Sequence, residues 1–114
     1  MEPHKIAHEI INNVPVLFIE GDMTSEADEA VISLYEEIKK KTPFSRLIFN
    51  FEKTNYINSA GIATLINVIQ DMAETGGKVS FVGLSNHFLK VMDIVGISDF
   101  VEIFESNDKA IVRD

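Results

Sequence analysis

The residues best placed to do chemistry lie in the stretch Tyr56-Ile57-Asn58-Ser59-Ala60-Gly61-Ile62-Ala63-Thr64-Leu65, where a lone serine separates a strand-like segment from a helix-like one. A serine hydroxyl there could act as a nucleophile, accept a transferred group, or simply cap the helix. Nucleophilic catalysis needs a histidine base that a third group holds in place. The chain offers three histidines. His4 and His8 share a face of the first strand-like segment, with no acid placed to orient either, so they read as surface or edge residues. His87 lies on a later helix. Asn-Ser-Ala-Gly also lacks the paired glycines of the nucleophile elbow.

Other site chemistries fare no better. The chain has no cysteine, and its histidines and carboxylates show no metal-ligand spacing. Gly76-Gly77 follows a helix instead of opening one, and no Walker lysine pattern is present, so no glycine-rich phosphate loop is found. Met23, Met72 and Met92 read as core filler. No catalytic residue, metal or cofactor is expected.

Two readings of Ser59 stay open on local chemistry. As an N-cap it would be worth about 1 kcal/mol over alanine. Alternatively, Ala60, Gly61 and Ala63 keep the first helical turn low. A phosphoryl group on Ser59 would then meet unpaired backbone N–H groups at the positive helix end. It would add about −1.5 to −2 charges, enough to repel an acidic partner face without unfolding the domain.

The surrounding elements follow from periodicity. Segments 4–11 and 14–20 are strand-like and separated by Asn12-Asn13, good turn material; Pro15 belongs near a strand start or free edge, and residues 21–24 break the pattern. From Ser25 the spacing of Ala27, Ala30, Val31, Leu34 and Ile38 is helical, with Thr24 or Ser25 as cap, acids in the first turn and Lys39-Lys40-Lys41 in the last. Asp28 falls among the acids of the outer side. Residues 46–51 read as a buried strand and 52–55 as a loop. A second helix spans 59–75, with Ile62, Leu65, Ile66, Ile69 and Met72 on one face, and Gly76-Gly77 ends it. A strand at 78–82 follows. The next helix, at 85–95, points Phe88, Val91, Met92 and Val95 inward and stops at Gly96. A strand at 100–104 and a terminal helix at 106–112, opened by Ser-Asn-Asp, complete the chain. The expected order is β-β-α-β-α-β-α-β-α, an α/β arrangement with a mostly parallel sheet.

At 114 residues, one domain spanning 1–114 is expected. Its formal net charge of −8 argues against nucleic acid and anionic membrane surfaces as partners. No stretch approaches the roughly 20 apolar residues of a membrane span, and no signal peptide is evident, so a soluble cytoplasmic protein is expected without membrane insertion.

Over nearly its whole length the chain resembles STAS domains, specifically the bacterial anti-sigma factor antagonists. The resemblance rests on "LIFNFEKTNYINSAGIATLINVIQDMAETGGKVSFVG", on "FLKVMDIVGISDFVEIFES", and on the opening strands with Gly21 after "VLFIE". It implies a mixed sheet of mostly parallel strands with helices packed mainly on one face. It also implies a non-enzymatic regulatory switch acting in transcription. Such a protein binds an anti-sigma factor that is also a serine kinase of the histidine-kinase-like ATPase type, which would carry the ATP. Phosphorylation of Ser59 would break that complex and a PP2C-type phosphatase would restore it. Around Ser59 the docking face would comprise Asn58, Ala60, Gly61 and, as exposed positions, Thr64 and Asn67, with Asp22 and Thr24 on the same rim. Asn58 stands where the family has an acid, Thr24 where it often has aspartate, and Asn50 closes the third strand. The alternative within the family is an accessory subunit of a transporter or larger sensory complex, with Ser59 never phosphorylated.

Overall fold

The computed structural model describes residues 4–41 and 43–112. Strands β1 (Lys5–Ile11) and β2 (Val14–Met23) form an antiparallel hairpin from Lys5 opposite Glu20 to Ile11 opposite Val14. Asn12 and Asn13 sit at φ of 51° and 68°, the left-handed conformation that a two-residue I′ turn requires and that asparagine tolerates.

Beyond the hairpin, β2 runs further than its sequence suggests. Gly21 adopts a φ of 82° and the register shifts between Gly21 and Asp22. Gly21 lies opposite Thr54 but Asp22 opposite Tyr56, so the extra residue of this bulge, Asn55, is on the facing strand. Val16–Phe18 pair in parallel with β3 (Arg46–Asn50), and Gly21–Met23 pair in parallel with β4 (Thr54–Ile57). Residues 52–55 were expected as loop, so β4 is an added strand. Asn55 and Tyr56 are exposed and only Ile57 is buried, which leaves no alternating pattern to announce it.

The main sheet has the order β1-β2-β3-β5-β6, with β5 at Lys78–Val82 and β6 at Glu102–Phe104, and all pairings beyond the hairpin are parallel. Helices α1 (Ser25–Lys41), α2 (Ser59–Glu74) and α3 (Asn86–Ile94) cover one face, over Leu17, Ile19, Leu47, Phe49 and Phe81. The short α4 (Asn107–Ile111) covers the other through Ala110, against Val14, Val16, Ile48 and Val82. Successive strand residues point to opposite faces, so a strand covered on both sides must be apolar throughout. The chain is thus an α/β domain with a mixed, mostly parallel sheet and helices mainly on one face.

Two boundaries in the C-terminal part differ clearly from the sequence reading. Val95, expected inward, is 47% exposed, because α3 ends at Ile94 and Gly96 at φ 80° turns the chain away. Residues 97–99 form a 3-10 turn, leaving Phe100 73% exposed and the last strand three residues long. At the end of β3, the buried Asn50 donates from Nδ2 to Glu52 Oε1 (2.8 Å) and Asn107 Oδ1 (3.0 Å), while its Oδ1 accepts from the Glu52 backbone N–H (2.9 Å). That position therefore calls for an amide: an aspartate would set a second carboxylate against Glu52.

A polar clamp joins α1 to α2. The Tyr35 hydroxyl and Lys39 Nζ both donate to Asp71 Oδ2 at 2.6 Å, and Lys39 lies 5.0 Å from the Tyr35 ring centroid. The bonds from Lys39 and then Tyr35 hold the Asp71 carboxyl below its ordinary value. Burial, and then the bond to Asp71, push the Tyr35 hydroxyl up. A carboxyl held below its unfolded value stabilises the fold above that value, and the contribution is lost as the pH falls through the folded one. Asp71→Asn is expected to lower stability by about 1 kcal/mol at neutral pH. The gap to wild type should close as the pH drops below 3.8. Urea titrations of both proteins across that range check it.

Candidate functional site

Ser59 is the first residue of α2, and it is exposed. The helix is capped one residue earlier. Asn58 has the extended backbone of an N-cap (φ −101°, ψ −176°), and its Oδ1 accepts from the Gly61 N–H at 3.0 Å. Its carbonyl accepts the Ile62 N–H at 3.0 Å, while its own N–H donates to the Met23 carbonyl at 3.2 Å. Of the two readings of Ser59 left open by the sequence, the cap is thereby excluded: both residues are good caps by type, but only Asn58 stands outside the helix with its side chain reaching back. Among the described residues the Ser59 hydroxyl has no hydrogen-bond partner. Asparagine caps about as well as aspartate, so Asn58 preserves the helix start without the family's charge.

Gly61 is buried where α2 meets the end of β2. A Cβ placed on it would lie 2.3 Å from the Met23 carbonyl oxygen and 3.1 Å from Ile57 Cγ2. Glycine is thus required by close approach, since both neighbours are fixed by the β2–β4 pairing.

Thr64, expected as an exposed position of the docking face, is instead buried, at 1% exposure. Its single hydroxyl proton is shared between Asp28 Oδ1 on α1 and the Ala60 carbonyl, 3.1 Å away. Asp22 and Thr24 are buried as well. Thr24 Oγ1 accepts from the Glu26 N–H at 3.4 Å and its carbonyl accepts from Ala27, so it starts α1. Asp22, Thr24, Gly61 and Thr64 therefore build the frame beneath the surface, while Ser59 and Asn67 are exposed and Asn58 and Ala60 half-buried. The sequence reading missed Asp28, half-buried between the helices. A signal existed: Asp28, Val31, Tyr35 and Ile38 recur at the spacing of one helical face.

The chain belongs to the STAS domain family, whose model matches residues 5–110. No match is found among curated protein sequences. Among solved structures, the fold is similar to an anti-sigma factor antagonist from Mycobacterium paratuberculosis (13% identity, TM-score 0.81, covering 96% of this chain and 92% of that one). It is similar to the phosphorylated form of the Bacillus cell fate determinant SpoIIAA (17% identity, TM-score 0.74, 97% and 100% covered). It is also similar to a sulfate transporter family protein from Wolinella succinogenes (17% identity, TM-score 0.78, 91% and 86% covered). At these identities the likenesses establish the fold. Among the described residues no helix is long and apolar enough to cross a membrane.

Two substitutions test the geometry. Asn58→Ala should cost about 1 kcal/mol of stability, whereas Ser59→Ala should stay within about 0.5 kcal/mol of wild type; equal losses in chemical denaturation would return the cap to Ser59. Gly61→Ala, which in an ordinary helix interior is stabilising, should here cost about 1–3 kcal/mol through overpacking against Met23. Thermal unfolding of the variant decides the sign.

Proposed function

We propose that this protein is a non-enzymatic regulatory switch of the anti-sigma factor antagonist type, with Ser59 as the phosphorylated residue. One observation carries the reading: Asn58 makes the cap, so the exposed Ser59 hydroxyl has no structural duty among the described residues. A phosphoryl group added there would lie at the positive end of the helix, beside first-turn N–H groups of which only that of Gly61 is taken by the Asn58 cap. The fold would persist while the net charge went from −8 to about −10. Binding would change and structure would not.

Family membership supports the reading, as does the likeness to a fold solved in a phosphorylated form. The unphosphorylated face of Ser59, Asn58, Ala60 and Asn67, shaped from beneath by Gly61, Thr64, Asp22 and Thr24, would bind an anti-sigma factor and serine kinase of the histidine-kinase-like ATPase type. A PP2C-type phosphatase would reset it. The setting would be cytoplasmic, in transcription control. The likeness to a sulfate transporter family protein favours a second reading, an accessory subunit in which Ser59 stays unmodified.

Ser59→Ala and Ser59→Asp separate the two. In affinity capture from the source cell's lysate, wild type and Ser59→Ala should retain an ATPase of that type and Ser59→Asp should lose it. Identical captures by all three baits would overturn the switch and leave the accessory role.

A further inference from the structure

Strand β1 forms one edge of the sheet, and β2 is its partner strand among the described residues. Lys5, Ala7, His8, Glu9 and Ile10 are exposed, Ile10 to 48%. The backbone groups on this free edge can be assigned from the turn. A two-residue turn hydrogen-bonds its flanking pair, here Ile11 and Val14, and bonded pairs then alternate along the ladder. Lys5, Ala7, Glu9 and Ile11 therefore direct their N–H and C=O groups toward β2, and Ile6, His8 and Ile10 direct theirs outward. Pro15 agrees, since it lies opposite Ile10, at a pair where β1 asks nothing of its missing N–H.

Laid antiparallel against itself, this edge is complementary. With Ala7 on the two-fold axis, Ile6 faces His8 of the second copy and Lys5 faces Glu9, each twice by symmetry. Lys5 and Glu9 fall at non-hydrogen-bonded pairs, where opposed side chains are closest and opposite charges attract. Lys5 also faces Glu20 within its own hairpin, so it would lie between two carboxylates. One lysine and one glutamate leave β1 itself neutral in a chain of net charge −8, so the two edge strands add no like-charge repulsion of their own.

We propose that the protein forms a two-fold symmetric dimer through antiparallel pairing of β1 with β1 of a second copy, Lys5 of each chain against Glu9 of the other, joining two sheets into one. The inference does not rest on the role of Ser59.

Because the chain has no cysteine, a single one reports cleanly. On the axis, Cα atoms of a non-bonded pair are about 4.5 Å apart, within the disulfide range. Ala7→Cys under mild oxidation should cross-link at least about tenfold faster than the exposed control Lys40→Cys, through the effective concentration of a complex. In sedimentation, Lys5→Glu and Glu9→Lys should each shift the protein to monomer and the double reversal should restore the dimer. Should a reversal fail to fold by circular dichroism, the cross-linking rate still decides. Equal cross-linking of Ala7→Cys and Lys40→Cys, faster cross-linking of His8→Cys, or a wild type monomeric at every concentration would overturn the dimer and leave the edge to a strand of a different chain.

Discussion

The approach of α2 to the end of β2 is the contact on which the rest of the architecture depends. The Met23 carbonyl receives the Asn58 N–H at 3.2 Å and lies where a side chain on Gly61 would begin. For Met23 to be there, β2 must leave β3 after Phe18 and pair with β4 from Gly21 on, where the backbone turns through a positive φ. A positive φ at one glycine and the absence of a Cβ at another thus place the helix start. Thr64 and Asp28 then tie the N-terminal half of α2 to α1, and Asp71 ties its far half to Tyr35 and Lys39. The start of α2 is braced from below and from the side.

That bracing has a functional consequence. A helix start held by its own serine would be disturbed by any modification of that serine. Here the labour is divided between neighbours: Asn58 satisfies the Gly61 N–H, and Ser59 projects from the first turn with its hydroxyl unengaged among the described residues. The buried polar residues nearby, Asp22, Thr24 and Thr64, belong to the frame. Charge can therefore be added at one exposed point while the fold beneath stays as it is, which is what a binding switch of this kind requires. The β1 edge is a separate surface with a separate logic, neutral and self-complementary on an otherwise acidic chain.

Legibility in the sequence tracked how local each signal was. Strands covered on both faces, such as β3 and β5, announce themselves as apolar runs, and α1 and α2 by their stripes. The turn at Asn12-Asn13 and the stop at Gly96 follow from residue type. β4 was not legible, because a four-residue strand with one buried side chain has no period. Nor was the continuation of β2 past Gly21, where a glycine inside a strand looks like a break. At the site, Asn58 and Ser59 are both cap-forming residues, and which one caps is settled by backbone conformation and reach. Thr64 misled because its partner, Asp28, is 36 residues away on another helix. Val95 continued a stripe that the chain abandons one residue earlier.

Hydrogen exchange at the Gly61 amide tests the division of labour most directly. The account predicts that its protection, measured by NMR, is the same in wild type and Ser59→Ala and is lost in Asn58→Ala. Protection lost in Ser59→Ala would contradict it and make the serine a structural cap.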